Sequence, residues 1–292
     1  MKRIFIQNTP SGKKIIYNHP IIMGILNLTK DSFYDGGKYA DVDKALRHVE
    51  EMISYGADII DIGGESTRPG AEAISAEEEM ERILPVIEKV KKNFDTIVSV
   101  DTYKSQVAEE ALKLGVDIIN DISGFTFDDR MPEVVRRYRA LAVLMHIKGK
   151  PKDMQNNPEY GNVVKEVYDF LSNSVKIAIR SGIPKENLII DVGIGFGKKL
   201  VHNIELIKNI SYFRRLNLPI LIGVSRKSMI GMLLGDTDKM DENVRPPAER
   251  LYGTIGINLF CYLNGVDIFR VHDVKENFEA LKVVSKIVIQ RF

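Results

Sequence analysis

Hydrophobic and polar positions follow one pattern along most of the chain. A short apolar run ends at a polar residue, and a stretch with the spacing of an amphipathic helix follows; this unit occurs about eight times. The predicted strands are 21–26, 58–62, 96–100, 116–119, 142–145, 188–190, 219–222 and 266–269. The predicted helices are 42–55, 75–92, 105–114, 131–138, 163–180, one capped by Asn203, one ending at Leu263, and 274–289.

The strands are apolar throughout rather than alternating, which is typical of strands that are buried on both faces of a parallel sheet. Strict alternation of strand and helix also predicts a parallel α/β sheet. Eight units favour a closed (β/α)8 TIM barrel over an open sheet. We therefore predict a single domain over residues 1–292, in which residues 1–19 form a β-hairpin outside the barrel.

Composition narrows the class of protein. Hydrophobic residues make up 44% and charged residues 28%, which are globular values, and the net charge of +1 gives no overall attraction to nucleic acid or to an anionic membrane. The single cysteine, Cys261, suits a reducing compartment, and no apolar run approaches the ~18 residues of a membrane span. The expectation is a soluble cytoplasmic protein with neither nucleic acid nor membrane as a partner.

Polar residues stand at the end of every predicted strand. In a TIM barrel these ends face one shared mouth. Taken singly, each has a plain structural explanation: the asparagines and aspartates can cap turns or helices, His146 suits a structural role, and Arg270 can form an ion pair at the rim. Together they predict a binding pocket. The set is Asn27, Arg68, Asp101, Asn120, His146, Asp191, Lys227, Arg270 and His272.

The residue types indicate two kinds of ligand group. Carboxylates and amides suit a planar heterocycle with several N–H donors, on which the Arg270 guanidinium can stack and to which Lys227 can donate. Asn27, Arg68 and His272 suit an anion, as does the 225–228 segment before a predicted helix. The residues show neither a nucleophilic triad nor the spacing of a structural zinc site.

Glycines shape three loops near this mouth. Gly193, Gly195 and Gly197 lack the dinucleotide-binding spacing, so we interpret them as a tight turn that exposes Phe196 as a ligand wall. The glycine-bearing loops after the first two strands are candidate lids. Their notable residues are Phe33, Asp35, Thr67 and Pro69.

Six segments together resemble the dihydropteroate synthases, in the order of that family and over roughly residues 20–290. They are residues 22–33 (IMGILNLTKDSF), 61–70 (DIGGESTRPG), 99–102 (SVDT), 119–124 (INDISG), 223–228 (GVSRKS) and 269–273 (FRVHD). One departure is Val192, where many members have proline, and it concerns the turn after the sixth strand.

The resemblance implies a TIM-barrel enzyme that joins 6-hydroxymethyl-7,8-dihydropterin pyrophosphate to p-aminobenzoate, by dissociative loss of pyrophosphate, in folate biosynthesis. It also implies Mg2+ near Asn27, a homodimer and inhibition by sulfonamides. The implied pterin-binding residues are Asp101, Asn120, Met145, Asp191, Lys227 and Arg270. The implied pyrophosphate-binding residues are Asn27, Arg68, Arg270 and His272. The implied p-aminobenzoate-binding residues are Phe33, Thr67, Pro69, Phe196 and Ser228. The implied catalytic residues are Asp35, Asp101, Lys227 and Arg270.

Two alternatives share the pterin-binding residues. A methyltetrahydrofolate-dependent methyltransferase needs no pyrophosphate-binding set, whereas residues 225–228, Arg270 and His272 are all present here. A non-catalytic pterin-binding barrel would keep the carboxylates and would not release pyrophosphate.

Overall fold

A computed structural model describes residues 5–29, 38–239 and 242–289. Eight parallel strands close into a barrel in the order β10-β3-β4-β5-β6-β7-β8-β9, so the predicted TIM barrel is confirmed. The strands β3 to β10 are Ile21–Asn27, Ile59–Gly63, Ile97–Asp101, Ile118–Asp121, Leu141–Met145, Leu188–Asp191, Ile220–Ile222 and Ile268–Val271.

Nine α-helices in the described ranges surround the barrel. They are α1 Lys38–Ser54, α2 Ala76–Asn93, α3 Ser105–Lys113, α4 Met131–Tyr138, α5 Val163–Arg180, α6 Leu200–Lys208, α7 Ser228–Leu234, α8 Leu251–Leu263 and α9 Val274–Ile289. Their apolar faces and the outer faces of the strands form the main hydrophobic core. Within the same ranges, no helix has both the length and the apolar character needed to cross a membrane.

The barrel interior is a separate apolar cluster. It takes every second residue of the strands, because successive side chains of a strand point to opposite faces. Its strand members are Ile21, Met23, Ile59, Ile97, Ile118, Leu141, Val143, Ile189, Leu221 and Ile268. The interior is thus packed with side chains and contains no channel.

The predicted N-terminal hairpin consists of β1 Ile6–Asn8 and β2 Lys14–Ile16, paired antiparallel. Ile15 and Tyr17 are buried in the same cluster as the barrel interior. Gln7 Nε2 donates to the carbonyl oxygens of Glu186, at 2.7 Å, and of Leu188, at 3.2 Å, at the start of β8. The hairpin therefore closes the end of the barrel where the strands begin.

Two details differ from the sequence-based prediction. Helix α1 begins at Lys38 rather than residue 42. Helix α6 begins at Leu200, so the prediction that Asn203 caps it is wrong. Asn203 Oδ1 instead accepts a hydrogen bond from the Gly195 amide at 2.7 Å, which uses the side chain to hold the preceding turn. The cap of α2 is confirmed, because Ser75 Oγ accepts from the Glu78 amide at 3.1 Å.

Candidate active site

The inner-face positions of the strands change from apolar to polar near the C-terminal ends. Counting in steps of two from the interior cluster gives the residues that face the mouth. They are Asn27, Asp61, Asp101, Asn120, Met145, Asp191 and Arg270. Apart from Asp61, all of these were predicted from the sequence, so the predicted tips do converge on one end of the barrel.

The first wall of this mouth is built by β4, β5 and β10 and is dominated by carboxylates. Arg270 Nε donates to Asp61 Oδ2 at 2.6 Å, and Arg270 Nη2 donates to Asp101 Oδ2 at 2.7 Å. Asn120 Nδ2 donates to the same Asp61 oxygen at 3.2 Å. Asp61 is fully buried, and the other oxygen of each carboxylate has no hydrogen-bond partner among the described residues. We call Asp61, Asp101 and Arg270 the acidic wall.

One guanidinium therefore serves two carboxylates. Burial raises the pKa of Asp101 to about 7; Arg270 lowers that pKa, and Asp61 raises it again. Burial disfavours the charged form of Arg270, but Asp61 and Asp101 outweigh it and raise the Arg270 pKa. With both carboxylates ionised, the acidic wall carries one excess negative charge beside the pocket, where a ligand with N–H donors or a developing cation would be favoured.

The second wall lies at the ends of β8 and β9, and β9 pairs with β10 of the acidic wall. Asp191 Oδ1 accepts from the Gly193 amide at 2.8 Å, and Lys227 Nζ donates to the Ile194 carbonyl oxygen. Lys227 Nζ also lies 4.4 Å from the centre of the Phe196 ring, a cation–π contact. We call Asp191, Lys227 and the 193–197 turn the turn wall.

Burial shifts both titratable groups of the turn wall toward their neutral forms. It raises the pKa of Asp191, against the Gly193 hydrogen bond and the charges of Lys227, Lys198 and Arg270. It lowers the pKa of Lys227 to about 8, while Asp191 raises that pKa and Arg270 lowers it. A lysine and an aspartate are thus held partly desolvated on the same wall, where each is free to exchange a hydrogen bond with a ligand.

An apolar side joins the two walls. Met145 is buried in a small cluster with Ile122, Ile147 and Met154, and Phe196 packs against this cluster. The cluster belongs to the ends of β6, β7 and β8, between the acidic wall and the turn wall. The arrangement suits a flat ring whose edges are polar and whose face is apolar.

The rim beside β10 holds His272, which is exposed. Its backbone amide donates to Ser225 Oγ at 3.2 Å, and its Nδ1 lies 3.0 Å from the same oxygen. Partial loss of water lowers the pKa of His272, and the charges of Arg270, Arg226 and Arg68 lower it further, against Asp273. The ring is therefore a neutral hydrogen-bonding group at neutral pH.

Arg226 lies within the anion-binding segment predicted from the sequence, but it is already paired. Its guanidinium makes a two-point ion pair with Asp273, with Nε 2.8 Å from Oδ2. Its φ is +55°, and its backbone amide donates to Thr254 Oγ1 at 3.0 Å. Arg226 thus braces the β9–α7 turn, whereas Lys227 of the same segment contacts the 193–197 turn.

The loop after β4 carries Thr67, Arg68 and Pro69, of which the last two are exposed. Its base is fixed by Glu65, which accepts from Tyr103 Oη at 2.6 Å and from Lys104 Nζ. Its far side is tied to the loop after β7, because the Gly70 amide donates to the Pro151 carbonyl oxygen at 3.0 Å. Phe33 and Asp35, predicted on the loop after β3, lie outside the described residues.

Two buried charged residues that contact residues of the two walls were not predicted from the sequence. The sequence pattern could have predicted Asp61. It is the one carboxylate inside the apolar run 59–62, and it lies two residues beyond the inward-facing Ile59. The pattern could not have predicted Lys198, because nothing near it in the sequence distinguishes it from exposed Lys199. His146, expected to be structural, is buried with Nδ1 2.8 Å from Lys198 Nζ.

Few side chains of the described residues could bind a divalent cation directly. In the described ranges, no three His, Cys, Asp or Glu side chains form a metal-binding group. Asn27 Oδ1 and Asp101 Oδ2 both face the space above Gly63, since a Cβ built there would lie 3.8 Å and 3.9 Å from them. Two hard oxygen ligands suit Mg2+ that is bound mainly through substrate phosphates and water.

Comparison with known proteins identifies the family. Residues 23–272 match the model of the pterin binding enzyme family. The chain is 46% identical to a dihydropteroate synthase of Clostridium beijerinckii, over 91% of this chain and 94% of that one.

Two solved structures have the same fold. Dihydropteroate synthase of Xanthomonas albilineans with 4-aminobenzoic acid has a TM-score of 0.90 and 36% identity, over 99% of this chain and 100% of that one. The Clostridium difficile enzyme in the presence of pteroic acid has a TM-score of 0.85 and 41% identity, over 93% and 98%. By sequence, fold and the polar set at its barrel mouth, the chain belongs to the pterin-binding enzymes, among the dihydropteroate synthases.

Proposed function

We propose that the barrel mouth condenses 6-hydroxymethyl-7,8-dihydropterin pyrophosphate with p-aminobenzoate, giving 7,8-dihydropteroate and pyrophosphate. The observation that carries this proposal is the pair of walls around one mouth. A buried carboxylate pair sharing Arg270 stands at the same mouth as a desolvated lysine and aspartate, and apolar side chains join the two walls. The pteroic acid and 4-aminobenzoic acid in the related structures support the same choice of ligands.

The pterin would lie between the walls. Its ring N–H and amino groups suit Asp101 and Asp191, its carbonyl suits Lys227, and Asn120 supplies an amide at the acidic wall. Met145 would contact the ring face. Arg270 would stack on the ring only after loosening its contacts with Asp61 and Asp101, so a ligand N–H donor to Asp101 would compensate for that change.

The pyrophosphate would lie at the rim, near Asn27, Arg68 and His272. His272 is exposed and hydrogen-bonded through Nδ1 to Ser225, so its Nε2 is the ring atom available to a phosphate oxygen. Asn27 would hold Mg2+, which, when bound, neutralises charge on the leaving pyrophosphate.

Bond breaking would precede bond making. The C–O bond to pyrophosphate breaks with its electron pair going to the leaving group, which leaves positive charge on the pterin methylene and ring. The excess negative charge of the acidic wall stabilises that cation. The neutral amine of p-aminobenzoate then forms the C–N bond and loses one proton, which the departing pyrophosphate accepts. Asp35, if its loop covers the mouth, would add to the stabilising charge.

The amine would occupy the outer part of the mouth, near Thr67, Pro69, Phe196 and Ser228, and the family resemblance adds Phe33 to this set. Phe196 is half-buried, and Thr67 and Ser228 stand at the loop after β4 and at the start of α7. Sulfonamides carry an aniline like that of p-aminobenzoate, so we expect them to compete for this part of the mouth.

The deciding experiment measures pyrophosphate release with both substrates and Mg2+, and with each component omitted in turn. Release that requires both substrates supports the synthase. Pterin binding without release would indicate a non-catalytic barrel, and methyl transfer from methyltetrahydrofolate without release would indicate the methyltransferase.

We also propose a homodimer formed on the side of α6, α7 and α8, which pack next to one another. These helices expose large apolar side chains that water disfavours. They are Val201, Leu233, Leu234, Tyr252, Phe260 and Leu263. Sedimentation should give twice the chain mass, and Tyr252→Lys should shift it toward the monomer; a wild-type monomer at micromolar concentration would refute the dimer. The cytoplasmic location remains a prediction from the sequence.

A further inference from the structure

A lysine with no assigned role is buried behind the turn wall. Lys198 is 3% exposed, at the end of the 193–197 turn. Its Nζ lies 2.7 Å from the Gly193 carbonyl oxygen, 2.9 Å from that of Phe196, and 2.8 Å from His146 Nδ1. The His146 carbonyl oxygen is a fourth neighbour at 3.4 Å.

These contacts use the whole donor capacity of the side chain. An ammonium group has three hydrogens and no acceptor, and three acceptors lie within 3.0 Å of Nζ. Lys198 therefore has no hydrogen left for a substrate in the mouth. It differs in this from Lys227, whose one hydrogen bond in the described structure leaves two hydrogens free.

The turn that Lys198 holds is pressed tightly against the end of β7. Gly193 and Gly197 have φ of +68° and +63°. A Cβ built on Gly193 would lie 1.9 Å from the His146 carbonyl oxygen, and one on Gly197 would lie 2.1 Å from that of Lys148. Lys198 bonds to the Gly193 and Phe196 carbonyl oxygens of the turn and to His146 Nδ1 just beyond β7, so it joins the turn to the end of β7.

The same turn positions two groups of the pocket. The Gly193 amide donates to Asp191, the Ile194 carbonyl oxygen accepts from Lys227, and the Phe196 ring lies below the Lys227 ammonium. A shift of the turn by a few tenths of an ångström would change all three contacts together. Lys198 is therefore connected to Asp191, Phe196 and Lys227 through main-chain atoms.

We propose that Lys198 is a positioning residue that sets the pterin affinity of the site by clamping the 193–197 turn to the end of β7. The proposal rests on the proposed function for its ligand. It assigns Lys198 no contact with substrate.

The test compares Lys198→Met with Lys199→Met. Methionine keeps most of the length of the side chain and removes its hydrogen bonds, and Lys199 is the exposed neighbouring lysine. We expect Lys198→Met to weaken binding of the dihydropterin pyrophosphate at least tenfold by calorimetry, and to raise its KM. Lys199→Met should stay within twofold of wild type.

A double-mutant cycle distinguishes positioning from general loss of stability. In a Lys227→Met background, the contact from Lys227 to Ile194 and Phe196 is already gone, so Lys198→Met should cost less than threefold in affinity. The same loss in both backgrounds would overturn the proposal. So would wild-type affinity in the single variant.

Two further measurements keep the result decisive. If Lys198→Met does not fold, Lys198→Gln takes its place, because glutamine retains hydrogen-bond donors for the turn. If the turn is displaced in Lys198→Gln and the pterin affinity is still that of wild type, the proposal is wrong. Hydrogen exchange needs no substrate: the Gly193, Gly195 and Phe196 amides should exchange at least tenfold faster in Lys198→Met than in Lys199→Met. Unchanged exchange overturns the clamp, whereas an inactive wild-type enzyme overturns only the proposed function.

Discussion

The two walls of the mouth hold charge in different ways. In the acidic wall, side chains from three strands contact each other directly, and Arg270 is the common partner of Asp61 and Asp101. In the turn wall, Asp191 and Lys227 bond to main-chain atoms of a glycine-rich turn, and that turn is held by Lys198. The first wall depends on a balance of charges and the second on the position of a backbone segment, so the two should fail differently when changed.

The largest expected effect is on the acidic wall. Arg270→Met leaves two buried carboxylates without their cation, which should lower the free energy of unfolding by about 3–5 kcal/mol and abolish turnover. Urea unfolding at pH 8 measures the loss. Adding Asp61→Asn should recover part of the stability but not the turnover, and wild-type stability in the single variant would contradict the balance of charges described here.

The matching change in the turn wall should affect binding more than folding. Lys227→Met should weaken pterin binding by about 1.5–3 kcal/mol, as for a lost hydrogen bond to a charged donor. Its stability at pH 7 should be equal or higher, because burial of the ammonium is unfavourable. Calorimetric titration and urea unfolding provide the two values, with Lys165→Met on the outer helix α5 as the control. Unchanged affinity would remove Lys227 from the site.

The two walls should affect the free energy of unfolding in opposite directions as the pH rises. The raised pKa of Asp101 means that the folded state binds this proton more tightly, so its contribution to stability is present below about pH 4 and is lost as the pH rises to about 7. The lowered pKa of Lys227 makes the folded state release its proton first, so stability gains between about pH 8 and pH 10.5.

Each group changes the free energy of unfolding by at most about 1.4 kcal/mol per pH unit. Asp101→Asn should flatten the fall between pH 4 and 7, and Lys227→Met should flatten the rise above pH 8. Thermal or urea unfolding across this range provides the test. If either variant keeps the wild-type slope of unfolding free energy against pH in its own pH range, another group causes the pH dependence in that range.

The smallest effect should come from the far end of the barrel. Tyr17→Phe removes the hydrogen bond from Tyr17 Oη to Gln7 Oε1, which should cost about 1 kcal/mol of stability. KM and kcat should not change, because the interior cluster separates the hairpin from the mouth. A tenfold change in either constant would show that the hairpin influences the walls.

The sequence predicted which side chains line the mouth better than it predicted the contacts that hold them. Period-two alternation and polar strand ends suffice to bring Asn27, Asp101, Asn120, Asp191 and Arg270 to one face, because strand geometry alone fixes where they point. The pairing of Arg270 with Asp61 was not predictable, since it joins strands that are far apart in the sequence. The role of Lys198 could not be predicted for a related reason, because it depends on how the 193–197 turn packs against the end of another strand.

The packed interior of the barrel also limits how ligands reach the pocket. Apolar side chains of the strands fill the barrel below the mouth, and Ile15 and Tyr17 of the hairpin cover its far end, so the ligands of the proposed reaction would enter and leave at the mouth. The ligand that lies deepest must arrive first, and a ligand bound above it traps it until the outer one leaves. Under the proposed arrangement, the pterin therefore binds before p-aminobenzoate. The product occupies both the inner and the outer part of the pocket, so it must leave before the next pterin can bind. A pocket that opens at one end thus sets the order in which its ligands bind and leave.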